Sequence, residues 1–192
     1  MKKTLFTISL SVILLHAFGQ TPALFEPVSD ELPNRDLAIS PDGSMMLTTI
    51  QSYKREVSVI MLYTKTSEGW LGPAVAPFSG NYKDLEPAFS PDGKRLYFAS
   101  NRPTPERPEK LDFDIWYVEL EGNGWGVPRH LPETINTGAN EFYPSVTENG
   151  DIYFTAAYED SKGAEDIYVS RFKNGNYQQA VNAGDSINSK TY

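Results

Sequence analysis

Cysteine is absent from this 192-residue chain, so neither a disulfide framework nor a thiolate metal site can hold it. Histidine is almost absent: His130 alone lies beyond the first nineteen residues, and no His cluster with metal-ligand spacing exists. Positive charge is in deficit, with 17 Lys and Arg against 25 Asp and Glu and a net charge of −8. Nucleic acid and anionic membrane surfaces need basic partners, so both are excluded as ligands. No helical period of any length runs through the chain, and no Gly-x-Ser-x-Gly nucleophile elbow is present. Long apolar runs are missing too, save one at the start.

That run, Leu5 to Leu15, follows Lys2 and Lys3 and precedes Ala17-Phe18-Gly19. A basic start, a short apolar run and small residues before Gln20 read as a secretory signal peptide over residues 1–19, too short for a membrane span. No cysteine follows it to take a lipid anchor. Its removal leaves 15 basic against 25 acidic side chains, a mature charge of −10. The expected location is the periplasm or the outside of the cell.

What the chain does have is repetition. Ala38-Ile39-Ser40-Pro41-Asp42-Gly43 returns as Ala88-Phe89-Ser90-Pro91-Asp92-Gly93, 50 residues later, and a looser copy stands at Ser145-Val146-Thr147-Glu148-Asn149-Gly150. Proline presets φ, Asp tolerates the bridge region and Gly takes the left-handed conformation, so each copy predicts a tight turn. After each turn comes a strand rich in aromatic or β-branched residues (Met46 to Ile50, Leu96 to Ser100, Ile152 to Ala156). A second follows (Val57 to Leu62, Asp114 to Val118, Asp166 to Ser170), then a Gly-containing turn with Trp70, Trp125 or Tyr177. Leu71 to Ala74 and Gly126-Val127-Pro128 read as outer, fourth strands, where proline is tolerated.

Four short antiparallel strands in roughly fifty residues, repeated in tandem, predict an all-β fold, a β-propeller. The expected layout is a lead-in at 20–33 and units at 34–80, 81–135 and 136–186. Residues 187–192 repeat the lead-in Ile135-Asn136-Thr137 and read as the start of a further blade. Six to eight such blades need roughly 300 to 400 residues, so the chain reads as part of a larger ring, six-bladed by expectation.

Ser90-Pro91-Asp92-Gly93-Lys94-x-Leu96-Tyr97-Phe98-x-Ser100-x-Arg102, followed by Asp114-Ile115-Trp116, resembles the WD-like repeat of the TolB-type propeller family. The resemblance covers about residues 34 to 192. The first unit departs from it, since Met46-Leu47-Thr48 replaces the aromatic pair and no Asp-Ile-aromatic motif follows. The resemblance implies an exported six-bladed propeller of the bacterial envelope that binds proteins or other ligands through one face or its central channel. Some members are free-standing, and others are fused to peptidases or peptidoglycan-binding domains.

For chemistry, carboxylates are the serious candidates. Just before the first strand of each unit stand Asp36, then Asp84 and Glu86, then Glu141. First strands of propeller blades line the channel, so a ring of acids there would attract a cation or a basic peptide. The competing reading has these acids capping turns or pairing with neighbouring Arg and Lys. Asp114 and Asp166 recur at matched positions and predict hydrogen bonds to the preceding loops. Arg102 is expected to pair with an acid, and His130 to be solvated. The sequence thus supports a non-catalytic binding module without catalytic, cofactor-binding or metal-binding residues, whose partner is a protein, peptide or glycan. The alternative is a carbohydrate-active or other hydrolytic propeller with catalytic residues partly outside this chain.

Overall fold

The Ser-Pro-Asp-Gly turns organise each sheet. In the computed structural model, which describes residues 33–122 and 124–191, the Gly43 N–H donates to the Ser40 carbonyl at 2.8 Å. The Ser40 hydroxyl donates to Asp42 Oδ1 at 2.6 Å and accepts from the Met45 N–H at 2.9 Å. The second copy repeats these bonds: Gly93 to Ser90 at 2.9 Å, Ser90 to Asp92 at 2.7 Å and Arg95 to Ser90 at 2.9 Å. In the third, Thr147 bonds to Asn149, which replaces the aspartate. Gly43 and Gly93 share φ 69° and Gly150 has φ 88°, a left-handed region that side-chain-bearing residues seldom enter. The expected leader at 1–19 and nearly all of the lead-in at 20–33 lie outside the described residues.

Every regular element among the described residues is a strand. Strands β1 (Asn34–Ile39), β2 (Met45–Gln51), β3 (Ser58–Thr66) and β4 (Gly69–Val75) form one antiparallel sheet in that order. The second sheet runs β5 (Asp84–Phe89), β6 (Arg95–Ser100), β7 (Asp114–Glu121), and its outer place is shared by β8 (Gly124–Trp125) and β9 (Arg129–His130). Gly126-Val127-Pro128, expected as that outer strand, lies between the two short pieces: proline has no N–H to extend the ladder. The third sheet has β10 (Glu141–Val146), β11 (Ile152–Ala156) and β12 (Asp166–Ser170). A hairpin of β13 (Phe172–Lys173) and β14 (Asn176–Tyr177) precedes its outer strand β15 (Val181–Asn182).

The sheets stack face to face, which is what the aromatic pairs are for. Alternation sends Leu96 and Phe98 of β6 toward the first sheet, with Leu47, Ile60, Phe78, Trp116 and Val118. Tyr97 and Ile115 point the other way, into a second core with Ile135, Ile152, Phe154 and Tyr168. Phe98 and Phe154 are fully buried, each contributing about 1.5–3 kcal/mol. Both members of the Tyr97-Phe98 pair therefore pack between sheets, on opposite sides. On the face of the first sheet turned from the second, Met46 and Tyr63 are buried as well. The innermost strands β1, β5 and β10 adjoin one another, and the three sheets form an arc of propeller blades.

Each innermost strand carries the same irregularity. The pairing of β1 with β2 slips between Arg35 and Ala38, that of β5 with β6 between Leu85 and Ala88, and that of β10 with β11 between Phe142 and Ser145. One bulge per blade, at one height, re-aims the chain toward one mouth of the arc.

Candidate functional site

The bulge residues are Asp36, Glu86 and Tyr143, each four positions before Ser40, Ser90 or Thr147. They adopt φ of 58°, 59° and 51°, a left-handed conformation that non-glycine residues seldom take. Such outliers cluster where structure serves function. Here they converge on one guanidinium. Arg35 pairs with Asp36 through Nε at 2.8 Å, with Glu86 Oε1 at 3.3 Å, and donates to the Tyr143 hydroxyl at 2.7 Å. The other Glu86 oxygen accepts the Tyr143 N–H at 2.7 Å, and the Glu86 N–H donates to Thr49 Oγ1 at 3.1 Å. Three blades are thus tied at the mouth by one cluster. Burial pushes the Glu86 carboxyl up to about 7, and the charge of Asp36 adds to that, against the pull of the Tyr143 N–H and Arg35.

A cleft of about 370 Å³ opens over this cluster, lined by Arg35, Arg55, Lys83, Glu86, Tyr143 and Glu165, with Leu85, Phe113 and Phe142 as its apolar part. Arg55 is itself left-handed, at φ 57°. The Phe113 and Phe142 rings pack at 5.2 Å, and Tyr143 is half exposed. A larger groove of about 630 Å³ lies at the opposite mouth. Two of its charges, Arg95 and Glu119, pair with each other at 2.9 Å, and its walls include two of the turns.

The four acids expected at the mouth therefore divide into two sets. Asp36 and Glu86 are brought together around Arg35. Asp84 and Glu141 stand two residues earlier in their strands, fully buried and facing inward. Asp84 Oδ1 pairs with Arg102 at 2.7 Å and accepts from Ser100, while Oδ2 accepts from Ser79. Glu141 Oε1 accepts from Thr137 at 2.7 Å and Tyr158 at 2.8 Å, and burial pushes its carboxyl up to about 7. Each of the four is bonded: Asp36, Glu86 and Asp84 to an arginine, as the competing reading has it, and Glu141 to Thr137 and Tyr158, but the bonds of Glu86 reach across blades and are not local. Arg102 finds its acid inside the blade and stacks over Phe98 at 5.0 Å.

Asp166 accepts from the Lys162 N–H at 2.8 Å and so does hold its preceding loop, and Asp114 does the same through Arg107. His130, expected in solvent, is instead half-buried. Its Nε2 bonds to Asp114, and its ring packs on Trp116 with centroids 4.7 Å apart. Burial raises the Asp114 carboxyl, but His130 and Lys110 outweigh it and hold the group below the ordinary range.

Arg35, Arg55, Lys83 and Tyr143 were not legible as site residues from composition or motif. Tyr143 had a signal: its offset from the turn matches that of Glu86, although its residue type does not. Arg55 and Lys83 had none, because loops bring them to the mouth.

No family model matches the chain, and no curated protein does. Solved structures do. TolB from Acinetobacter baumannii superposes with a TM-score of 0.52 at 21% identity, covering 82% of this chain and 34% of that one. A protein assigned as TolB from Agrobacterium tumefaciens gives 0.53 at 18%, covering 79% and 50%. The fold is that of a TolB-like β-propeller. The chain spans between a third and a half of the length of these TolB structures. The catalytic domain of a Coprinopsis cinerea GH62 α-L-arabinofuranosidase overlaps more loosely, with a TM-score of 0.46 at 13% identity over 84% of this chain and 54% of that one. No helix among the described residues is long and apolar enough to cross a membrane.

Proposed function

We propose that this chain is an exported, non-catalytic TolB-like propeller that works in the cell envelope as a binding module, with the cleft over Arg35, Glu86 and Tyr143 as its ligand site. The observation that carries this reading is the convergence of strained, non-glycine backbone from three blades on one mouth. A purely structural bulge would be served by glycine at less strain. Leu85, Phe113 and Phe142 give the cleft an apolar wall beside its charged groups, so a ligand could be held by both kinds of contact. The leader-like start supports export, and the acidic surface suits a secreted protein.

The test is site-specific photo-crosslinking in intact cells. A photoreactive aromatic residue replacing Tyr143 should capture an envelope partner, and one replacing Lys94 at the opposite mouth should not. Capture at Lys94 alone would refute the placement of the site.

A further inference from the structure

The charges of the cleft are not equivalent. Both oxygens of Glu86 are engaged, one by Arg35 and one by the Tyr143 N–H, and Arg35 is itself spent on Asp36, Glu86 and Tyr143. Among the described residues, Arg55 and Lys83 have no acid partner. They lie on loops at the side of the first and second blades, Arg55 between β2 and β3 and Lys83 just before β5. Glu165, the other lining acid, precedes β12 on the third blade. The apolar residues Leu85, Phe113 and Phe142 line the same cleft. In a chain of net charge −8, two cations without an acid partner among the described residues, beside an apolar wall, form a local exception to the general field.

We infer that the cleft takes an acidic peptide segment, its carboxylates on Arg55 and Lys83 and its apolar side chains on Leu85, Phe113 and Phe142. This rests on the reading of the cleft as the binding site. A peptide supplies both carboxylates and hydrocarbon at the spacing of neighbouring side chains, whereas a cationic ligand would meet the like charges of Arg55 and Lys83. Like charges in that position cost affinity, so the same two residues would reject basic segments. Glu165 sets the side of the cleft from which the acids of the ligand are kept away.

Fluorescence anisotropy on the full chain tests this with an N-terminally labelled hexapeptide, Glu-Phe-Asp-Leu-Glu-Phe. A version with lysine in place of each acid and an oligogalacturonate serve as comparators. The acidic peptide should bind tightest. The charge-reversed double variant Arg55→Glu/Lys83→Glu should weaken it by about tenfold or more, and Lys94→Glu at the other mouth should leave it unchanged. Equal or tighter binding of the lysine peptide or the galacturonate, lost on Tyr143→Ala, would overturn the acidic-peptide assignment and leave the cleft as the site. Binding unaffected by Tyr143→Ala and by the double variant, or no binding of any of the three, would overturn both.

Discussion

Ile135 and Ile187 occupy the same place in successive blades, yet Ile135 is fully buried and Ile187 is 54% exposed. The backbone around them is superimposable in its bonding. Ile135 donates to the Pro132 carbonyl at 2.9 Å and Ile187 to that of Gly184 at 3.0 Å. The next residue, Asn136 or Asn188, then accepts from Ile115 or Ile167 through Oδ1, at 2.8 Å in both. What differs is the neighbour: the third sheet covers Ile135, and no described residues cover Ile187. Ile135→Ala should therefore cost about 2–4 kcal/mol in a urea unfolding midpoint, and Ile187→Ala less than about 1. Equal costs would mean that the outer face of the third sheet is covered in solution.

Arg102 sits at the centre of the second blade, 6% exposed, donating to Asp84, Ser100 and the Phe78 carbonyl. Its plane also lies over Phe98 and Trp116. Lysine keeps the charge but loses the fork and the stacking, so Arg102→Lys should destabilise by about 1–3 kcal/mol. Arg102→Ala strands the Asp84 carboxylate and should cost about 3–5 kcal/mol. Thermal denaturation of the two variants would show whether the guanidinium shape or the charge alone matters.

Folded Glu141 holds its proton up to about 7, against 4.5 for the ordinary carboxyl, and Glu86 behaves alike. Between these values the unfolded chain binds fewer protons than the folded one. Stability should thus be greatest near pH 4.5, fall as pH rises toward 7 and level off above it. Unfolding midpoints measured from pH 4.5 to 8 should show this decline, reduced in Glu141→Gln and nearly gone in Glu86→Gln/Glu141→Gln. A wild-type profile that rises over the same window would contradict the burial assigned to these carboxyls.

Gly93 at φ 69° has an ideal Cβ position 3.4 Å from Pro41, so Gly93→Val meets backbone strain as well as a neighbour. About 1–3 kcal/mol is expected. Gly122, in the loop after β7, is also left-handed at φ 61°, and Gly122→Val should be costly too. Exposed Gly138, without positive φ and with open space around it, is the control and should tolerate valine. Circular dichroism melts of the three variants rank them.

Export by removal of residues 1–19 predicts a mature chain that begins at Gln20. Intact-mass measurement of protein recovered from the periplasm or medium checks this, and retention of Met1 would contradict it.

The sequence alone determined the local geometry and, through repetition, the architecture. Ser-Pro-Asp-Gly closes a turn by bonds within six residues, and alternation along Leu96 to Ser100 fills both faces of a blade, so neither needed distant information. Only the tertiary structure decided which acids share a site. A bulge two residues beyond Asp84 and Glu141 sends Glu86 and Tyr143 to the mouth and leaves the earlier pair inside, and residue type does not encode that shift. Arg35 and Tyr143 meet there because three blades stack side by side, a proximity that arises across 108 residues and leaves no mark in local pattern.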